Sequence, residues 1–346
     1  MESYRISPAK TENLKRCTHH GIIAAAAMDQ RGSLARALAN QGGSEPEPEQ
    51  LRNFKQVVTE VLTPHASAVL LDPVFGLPAS EKRAPGTGLL LAYEISGYDN
   101  KVPGRLPSVL EGYSVRRLAE ASANGVKVLL YYNPFDEVQL NERKHAFIER
   151  VGAECQAVGL PFFLEPVTYD EGIDDDFEWA TRKPEYVKRT MEEFSRERYG
   201  VDILKVEFPF DARYTETLGD IEHPAYNRDQ AIRHAQEAAE VAGKPFIFLS
   251  AGVDMSTFIA SLELVGEAGV PFSGVLCGRA TWKGGIPVYA RHGKAALRSW
   301  LEDEGVRNIK RLNEVLETYA RPWWEFFGGL EEFPSSFRED IPTAEN

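Results

Sequence analysis

The chain has 346 residues, of which 43% are hydrophobic and 26% are charged, a mixture typical of a globular protein that buries a sizeable core. Its formal charge of −13 argues against a general nucleic-acid binder or a binder of anionic membranes, because polyanions are repelled at long range. An anionic substrate must therefore be met by local arginine and lysine side chains.

The cysteines and the N-terminal stretch indicate a cytoplasmic protein. Cys17, Cys155 and Cys277 lie far apart without a CxxC spacing, so a disulfide framework or a zinc knuckle is not expected. The start, MESYRISPAKTENLKR, is polar and lacks the apolar segment of a signal peptide. No apolar run reaches the roughly 18 residues that a membrane helix needs.

Eight short apolar runs predict strands. They are near-continuous hydrophobic segments, as in parallel strands that are covered on both faces. The runs are 21–29, 67–72, 89–94, 126–132, 161–167, 202–208, 245–252 and 273–280.

Helical patterns separate most of these strands, at 49–62, 114–125, 141–158, 184–200, 229–243 and 255–269, and another follows at 306–320. Strands that alternate with helices predict a (β/α)8 TIM barrel over residues 1–320, and the absence of G-x-G-x-x-G after the first strand disfavours a dinucleotide-binding fold. The stretch 73–88 has room for only a short helix. Residues 321–346 form an aromatic extension, RPWWEFFGG and beyond, expected to be a packed cap or an interface with a mobile end.

Charged residues occur where the predicted strands end, which is where barrel enzymes place their chemistry. They are Asp29, Asp72, Glu94, Lys127, Glu165, Lys205 and Arg279. Burying one charge without a partner is costly, so a ring of charges predicts a paired network, a reactive site, or both. Asp72 and Glu94 would also suit the carboxylate pair of a glycosidase, although two lysines in the same mouth make that the lesser idea.

Lys205, in the run DILKVEFP, shares one face of its strand with Ile203 and Glu207. A lysine that faces a barrel interior must either pair with a carboxylate, here Glu207 or Glu165, or lose its proton. A neutral amine arises where desolvation and a second cation lower the pKa of a lysine, and it can attack a ketone to form a Schiff base. Lys127 is the candidate second cation, and Glu165 the candidate proton shuttle.

Two Gly-rich stretches predict an anion site. SAGVD contains Ser250, Ala251 and Gly252, and CGRATWKGG contains Gly278 and Arg279. The loops after strands seven and eight of a barrel recurrently bind phosphate through backbone N–H groups. Ordinary turns with a surface arginine are the alternative.

The stretch MDQRGSL after the first strand is similarly rich in polar groups. Asp29 and Gln30 would hold substrate hydroxyls, and Arg31 and Ser33 would meet a second anion, unless Arg31 makes only a surface salt bridge. The histidines show no ligand spacing, so neither a metal nor another cofactor is expected.

These segments, taken in order, resemble those of the class I tagatose-1,6-bisphosphate aldolases over about residues 15–317. The segments are AMDQRGSL, LLDPVFGLPA, GLLLAYEISGYD, VKVLLYY, PFFLEPVTYD, DILKVEFP, FLSAGV and GVLCGRATW. The resemblance implies a (β/α)8 barrel that cleaves ketose 1,6-bisphosphates to dihydroxyacetone phosphate and glyceraldehyde 3-phosphate without a metal. It places the Schiff-base lysine at Lys205, the general acid/base at Glu165 and a second active-site lysine at Lys127. It also assigns Asp29 and Gln30 to the first-strand motif, and the loops at 250–252 and 278–279 to phosphate.

Three alternatives stay open at this point. Related aldolases cleave 6-deoxy-6-sulfofructose 1-phosphate, in which a sulfonate replaces the second phosphate. A non-catalytic sensor of sugar phosphates would signal through a surface such as PWWEFF. A metal-dependent aldolase is the third. The expected ligand is a ketose phosphate in each case, and a homodimer or a higher homo-oligomer is plausible.

Overall fold

The computed structural model describes residues 6–95 and 103–339, and the predicted barrel is confirmed. Eight parallel strands close on themselves in chain order, β1 next to β2 and so on to β8, which pairs with β1. The strands are β1 Ile23–Met28, β2 Ala68–Leu71, β3 Gly88–Ala92, β4 Gly125–Tyr132, β5 Phe162–Thr168, β6 Ile203–Val206, β7 Phe246–Phe248 and β8 Gly274–Cys277. Each coincides with a predicted apolar run.

Helices surround the barrel and follow most strands. They are α1 Pro8–Arg16, α2 Gly32–Gly42, α3 Pro48–Leu62, α4 Val115–Glu120, α5 Val138–Val158, α6 Asp176–Phe194, α7 Arg228–Glu240, α8 Met255–Glu267, α9 Arg279–Trp282, α10 Gly285–Trp300, α11 Val306–Tyr319 and α12 Ser335–Glu339. Within the described residues, no helix is long and apolar enough to cross a membrane.

Six helices differ from the expectation. The sequence patterns did not predict α1, α2, α9, α10 and α12, and α6 begins eight residues before Pro184, the position where its pattern was expected to start. The α6 start is capped by Asp175, whose side chain accepts a hydrogen bond from the Glu178 N–H, so the helix begins there and carries Pro184 in its interior. The stretch between β2 and β3 contains only a short 3₁₀ helix, Leu77–Lys82, as expected.

The apolar core has two parts that follow from strand alternation. Alternate strand residues such as Ala25, Leu70, Phe163 and Ile203 fill the barrel interior. Their neighbours on the outer face, such as Leu204, pack against the surrounding helices. Because the period along a strand is two, every second residue of a strand must point into the barrel. A polar residue at such a position therefore faces the interior.

The C-terminal extension closes the end of the barrel opposite the strand carboxyl ends. Trp323, Trp324, Phe333 and Phe337 belong to the same apolar cluster as the barrel interior. The backbone N–H of Trp323 donates to the carbonyl of Gly21, two residues before β1, at 3.0 Å. The aromatic stretch is thus a packed cap, and we call residues 323–337 the floor cap. The mobile end is expected over the final 15 or so residues. Of these, Phe333 and Phe337 pack into the cap, residues 340–346 lie outside the described residues, and the division at residue 320 stays a prediction.

Gly21 tests the fit of the floor cap. It has φ of +80°, and a Cβ there would lie 2.5 Å from the Trp324 ring. Gly43 has a similar φ of +77° but open space around it. We expect Gly21→Ala to lower the free energy of unfolding by about 1–3 kcal/mol more than Gly43→Ala, because only the first also overpacks the cap. Urea unfolding of both variants measures this, and equal losses would contradict the packing described.

Candidate active site

A cavity of about 680 Å³ opens at the carboxyl ends of the strands. Its wall, in the described part of the chain, carries four carboxylates and four cations. They are Asp29, Glu94, Glu165 and Glu207, and Arg31, Arg36, Lys127 and Arg279. A dense set of opposite charges in one concave site is typical of catalysis on a charged substrate.

Glu165 is bound by both lysines. Its Oε1 lies 2.7 Å from the Lys205 Nζ, and its Oε2 lies 2.6 Å from the Lys127 Nζ. All three residues are largely buried. One carboxylate thus joins two ammonium groups, so a proton can pass between Lys205 and Glu165 without a large movement of either side chain.

The strand register produces this arrangement. Leu129 of β4 is opposite Glu165 of β5, and Leu164 of β5 is opposite Leu204 of β6. Glu165 and Lys205 are therefore at the same level of the barrel, on inward-facing positions of adjacent strands. Lys127 lies one inward position lower on β4 and reaches up to the same carboxylate. Of the two ion-pair partners considered for Lys205, the structure selects Glu165.

Lys127 is the centre of the carboxylate network. In addition to Glu165, its Nζ lies 2.8 Å from Asp29 and 2.9 Å from Glu94. Burial disfavours the ammonium, but Asp29, Glu165 and Glu94 together outweigh burial and hold the pKa of Lys127 well above its ordinary value. Lys127 is therefore a permanent cation, which makes it unsuitable as a nucleophile.

The pKa values of the neighbouring carboxyls Asp29 and Glu94 shift in opposite directions. Burial opposes ionisation of Asp29, yet Lys127 and Lys205 outweigh it and lower the pKa of Asp29. For Glu94, burial dominates over Lys127 and raises the pKa of the carboxyl. Pairs of acids whose pKa values are separated by their surroundings are typical of acid–base sites.

The strand-end position of Asp72 was expected to face the mouth, and this expectation was wrong. Its carboxylate instead ion-pairs with the buried Lys55 of α3 at 2.8 Å and accepts hydrogen bonds from the N–H groups of Val74 and Phe75. The strand stops at Leu71, so the alternation that would turn Asp72 inward no longer applies. No glycosidase-type pair of Asp72 with Glu94 is formed.

Lys55 holds the backbone around Asp29 in place. Its Nζ donates to the carbonyls of Met28 and Gln30, which flank Asp29 in the chain. This clamp fixes the backbone on both sides of Asp29. The Asp29 Oδ1 and the Gln30 Oε1 are buried and accept no hydrogen bond from the described residues, so both oxygens can accept from substrate hydroxyls.

The loops after β7 and β8 meet as expected. Ala251 and Gly252 have φ of +46° and +82°, and Gly252 packs so closely on the Arg279 guanidinium that a Cβ there would lie 2.8 Å away. Arg279 and Ala251 line the cavity, and the loop is also held by Lys283, which donates to the Gly252 carbonyl. This places a guanidinium beside a turn whose backbone has left-handed conformation, an arrangement suited to an anion.

Ser250 and Gly278 do not line the cavity. Ser250 is buried and hydrogen-bonds the Cys277 thiol, whose pKa burial raises to about 12. Gly278 leaves space for Gln30, since a Cβ there would lie 3.1 Å from the Gln30 Nε2. Ser250 and Gly278 support the loops after β7 and β8 from below, and neither contacts the cavity.

The N-terminus of α2 forms a second cationic region. Gly32, Ser33 and Arg36 line the cavity at the first turn of this 11-residue helix, where backbone N–H groups lack helical partners. Arg31 is buried, donates to the Glu94 carbonyl, and has an Nε that finds no hydrogen-bond acceptor among the described residues. The surface salt bridge considered for Arg31 is not present in this part of the chain.

Two charged or polar cavity residues, Arg36 and Tyr131, escaped sequence reasoning. Glu94 was predicted at the mouth but not as a partner of Lys127, and Glu207 was considered only as an ion-pair partner of Lys205. The spacing of Leu34 and Leu38, which are both buried, would have predicted α2 and so exposed Arg36 as a neighbour of Ser33. Across residues 6–95 and 103–339, no group of three His, Cys, Asp or Glu side chains is arranged to hold a metal ion.

Comparison with known proteins now identifies the family. Residues 23–284 match the DeoC/LacD family of aldolases. The chain belongs to the DeoC/LacD aldolase family. Membership confirms the resemblance drawn from the strand-end segments, and it makes the protein an aldolase, a lyase that cleaves carbon–carbon bonds.

Relatives of this aldolase cover almost its whole length. A "Tagatose 1,6-diphosphate aldolase" of Listeria monocytogenes serotype 4a (strain HCC23) is 45% identical over 331 residues, 95% of this chain and 97% of the relative. A "Tagatose 1,6-diphosphate aldolase 2" of Streptococcus pyogenes serotype M1 is 45% identical over 318 residues, 91% of this chain and 97% of the relative.

A solved structure shares the fold of the aldolase. It belongs to a study of a Schiff-base-forming fructose-1,6-bisphosphate aldolase and superposes with a TM-score of 0.54 at 16% identity, covering 89% of this chain and 99% of that chain. At this identity the likeness concerns the barrel alone.

Lys127→Met tests the carboxylate network of the aldolase. In the wild type, the lowered pKa of Asp29 means that its ionised form stabilises the fold above an ordinary carboxyl pKa of about 4 and that this contribution is lost as the pH falls through the lowered pKa. In the variant, the buried carboxylates lose the cation that they share, and only the more distant attraction of Lys205 and Lys55 remains for Asp29. Burial and mutual repulsion then raise the pKa values of Asp29 and Glu94, so their charged forms become destabilising as pH rises. The difference from wild type should grow between about pH 5 and pH 8, to roughly 3–5 kcal/mol.

Urea unfolding at both pH values measures this difference. Lys188→Met serves as the control, because Lys188 pairs with Glu237 at the surface and its loss should cost less than about 1 kcal/mol at either pH. A pH-independent difference for Lys127→Met would show that the three carboxylates do not depend on this lysine for their charge.

Proposed function

We propose that the protein is a class I aldolase that cleaves a ketose 1,6-bisphosphate, tagatose 1,6-bisphosphate or an epimer, through a Schiff base on Lys205. The products are dihydroxyacetone phosphate and glyceraldehyde 3-phosphate. The observation that carries the proposal is the contact of the Lys205 ammonium with one oxygen of Glu165, whose other oxygen binds Lys127. The names of the 45%-identical relatives support the choice of substrate.

The two lysines have separate roles. Among residues 6–95 and 103–339, Lys205 ion-pairs with one carboxylate, which can take its proton, whereas three carboxylates hold Lys127 as a cation. Once Glu165 has accepted the proton, the neutral Lys205 amine attacks C2 of the ketose. Attack leaves a positive charge on the nitrogen and a negative charge on the oxygen, and one proton passes from that nitrogen to the oxygen to give the carbinolamine. Glu165 then gives its proton to the carbinolamine hydroxyl, the C2–O bond breaks with loss of water, and the nitrogen lone pair forms the iminium.

Cleavage follows from the electron sink at C2. A carboxylate removes the proton of the C4 hydroxyl. Asp29 is the candidate, since its Oδ1 is buried and accepts no hydrogen bond from the described residues. The C3–C4 bond breaks, its electron pair moves into the iminium to form an enamine, and the C4 oxygen becomes the carbonyl of the leaving aldehyde. Protonation of the enamine at C3 and hydrolysis by water release dihydroxyacetone phosphate and the free amine. Lys127 stays charged and orients Asp29 and Glu165 throughout.

The anion sites fix the two ends of the substrate. Arg279 with the loop 250–252 would hold the C1 phosphate, and Arg31, Ser33 and Arg36 at the start of α2 would hold the distal anion. Binding both ends would keep C2 beside the amine, which converts the attack into an intramolecular event. A cytoplasmic location and a homo-oligomeric state stay predictions from the sequence.

The non-catalytic sensor is disfavoured by the completeness of the site. A sensor requires the anion sites, but it does not require an ammonium and a carboxylate in contact at the point where C2 would lie. In the sensor hypothesis, the protein would signal through the PWWEFF surface, which is part of the floor cap. The two tryptophans of this cap are buried at the end of the barrel. The cap therefore presents neither ring as an exposed docking surface.

Trapping the Schiff base is the direct test. Reduction with borohydride in the presence of dihydroxyacetone phosphate and EDTA should give a stable adduct on Lys205, mapped by peptide mass spectrometry. Lys127 should remain unlabelled because its carboxylates hold its pKa high. Lys205→Ala should lose turnover by roughly 10⁴-fold or more while keeping its circular dichroism spectrum. Loss of wild-type cleavage in EDTA, or an adduct elsewhere, would favour a metal-dependent mechanism or a different lysine.

The distal anion is tested by comparing substrates side by side. The aldolase should cleave tagatose 1,6-bisphosphate with a higher kcat/KM than 6-deoxy-6-sulfofructose 1-phosphate. Arg36→Met should raise KM for the bisphosphate roughly 10- to 100-fold with little change in kcat, because the exposed Arg36 contributes a charged hydrogen bond and no chemistry. Fructose 1-phosphate, which has no distal anion, is the control and should be insensitive to the variant. Preference for the sulfonate would overturn the bisphosphate assignment.

A further inference from the structure

Glu207 lines the cavity but takes no part in the lysine network. Its Oε2 accepts two hydrogen bonds of 2.8 Å from Thr168, one from the backbone N–H and one from the hydroxyl. Lys183 lies 3.6 Å from its Oε1, beyond a direct hydrogen bond. Within the described residues, Glu207 makes no ion pair with Lys127 or Lys205. The carboxylate is therefore held firmly on one side, with acceptor capacity left on the other.

The surrounding wall is suited to a neutral part of the substrate. Leu129, Tyr131 and Val167 line the cavity on the neighbouring strands β4 and β5, at inward positions level with or above Glu165. None of these three carries a formal charge at neutral pH. A phosphate group would be repelled by Glu207, whereas a hydroxyl would donate to it. The Lys183 ammonium, 3.6 Å from Oε1, partly balances the charge of this carboxylate, and a substrate hydroxyl would add a direct hydrogen bond to the same oxygen.

The position along the strand limits which hydroxyl this is. Glu207 lies one residue beyond the end of β6 and lines the cavity, and two residues of extended chain separate it from Lys205, roughly 6.6–7 Å along the backbone. With C2 bonded to Lys205, a group at that distance reaches beyond the bond that is cleaved. The hydroxyl in range belongs to the half of the ketose that leaves as the aldehyde.

We propose that Glu207 is a specificity-determining residue, whose carboxylate accepts a hydrogen bond from the hydroxyl next to the carbonyl of the aldehyde product. This inference rests on the proposed Schiff-base aldolase function. It explains why the strand carries a second charged residue so close to the lysine. In this arrangement the wall around Glu207, which repels anions, contacts the carbon chain of the substrate, and the two phosphates bind at the arginines.

The test uses the aldol direction with two aldehydes. Dihydroxyacetone phosphate is combined with glyceraldehyde 3-phosphate or with 3-oxopropyl phosphate, which has the same chain and phosphate but no 2-hydroxyl. In Glu207→Gln, the amide oxygen must face the two Thr168 donors, so the amide NH₂ group faces the cavity and the acceptor becomes a donor. We expect kcat/KM for glyceraldehyde 3-phosphate to fall roughly 10- to 100-fold and that for the analogue to change less than about 3-fold.

A second variant keeps the test decisive if Glu207→Gln folds poorly. Thr168→Val removes one of the two donors that orient the carboxylate, and it should reduce the preference for the hydroxylated aldehyde by a smaller factor. Equal slowing of both aldehydes in both variants would mean that Glu207 has a structural role only, which overturns the inference. The proposed function is tested separately, by the borohydride adduct on Lys205 in the wild-type protein, so either can fail alone.

Discussion

Glu165 lies between two lysines, each of which contacts a different oxygen of its carboxylate. This sharing exists only if β4, β5 and β6 are paired in parallel and in one register, since a shift of any one of these strands by one residue would turn its own charged side chain to the outer face. The closed barrel therefore does more than enclose a cavity. It sets the distance over which a proton moves, and the fold and the proposed chemistry depend on the same strand pairing.

The charges of the site are arranged in two zones. At the centre, Lys127 and Lys205 face three carboxylates, which leaves the central cluster formally negative. Arginines lie around it, on α2 and after β8. This order would let a protein with a net charge of −13 receive the proposed substrate, which has two phosphate groups. The cations would bind its ends, and the central carboxylates would be left for the hydroxyls and the carbonyl, which carry no charge.

Strand alternation made much of the site predictable, because a charged residue within an apolar run must either pair with an opposite charge or face a polar site. Lys127, Glu165 and Lys205 sit at inward positions, and period two alone indicated this for Lys205. Alternation failed at Asp72, where the strand ends and the side chain caps the following turn. It also could not reveal that Lys127 gathers carboxylates from β5 and from the ends of β1 and β3. Such a network depends on which strands are neighbours, a property of barrel closure and not of any single segment.

The position of the floor cap in the chain has a consequence for how the protein is made. Within the described residues the cap follows all eight strands in the chain, and its tryptophans complete an interior cluster whose other members come from strands as early as β1. Chains emerge from the ribosome N-terminus first, so the nascent barrel exists for a time with the apolar lower end of its strands exposed to water. The barrel end is closed only after residues 323–337 have emerged, so the interval between the synthesis of β8 and that of the cap is when the chain most needs protection from aggregation.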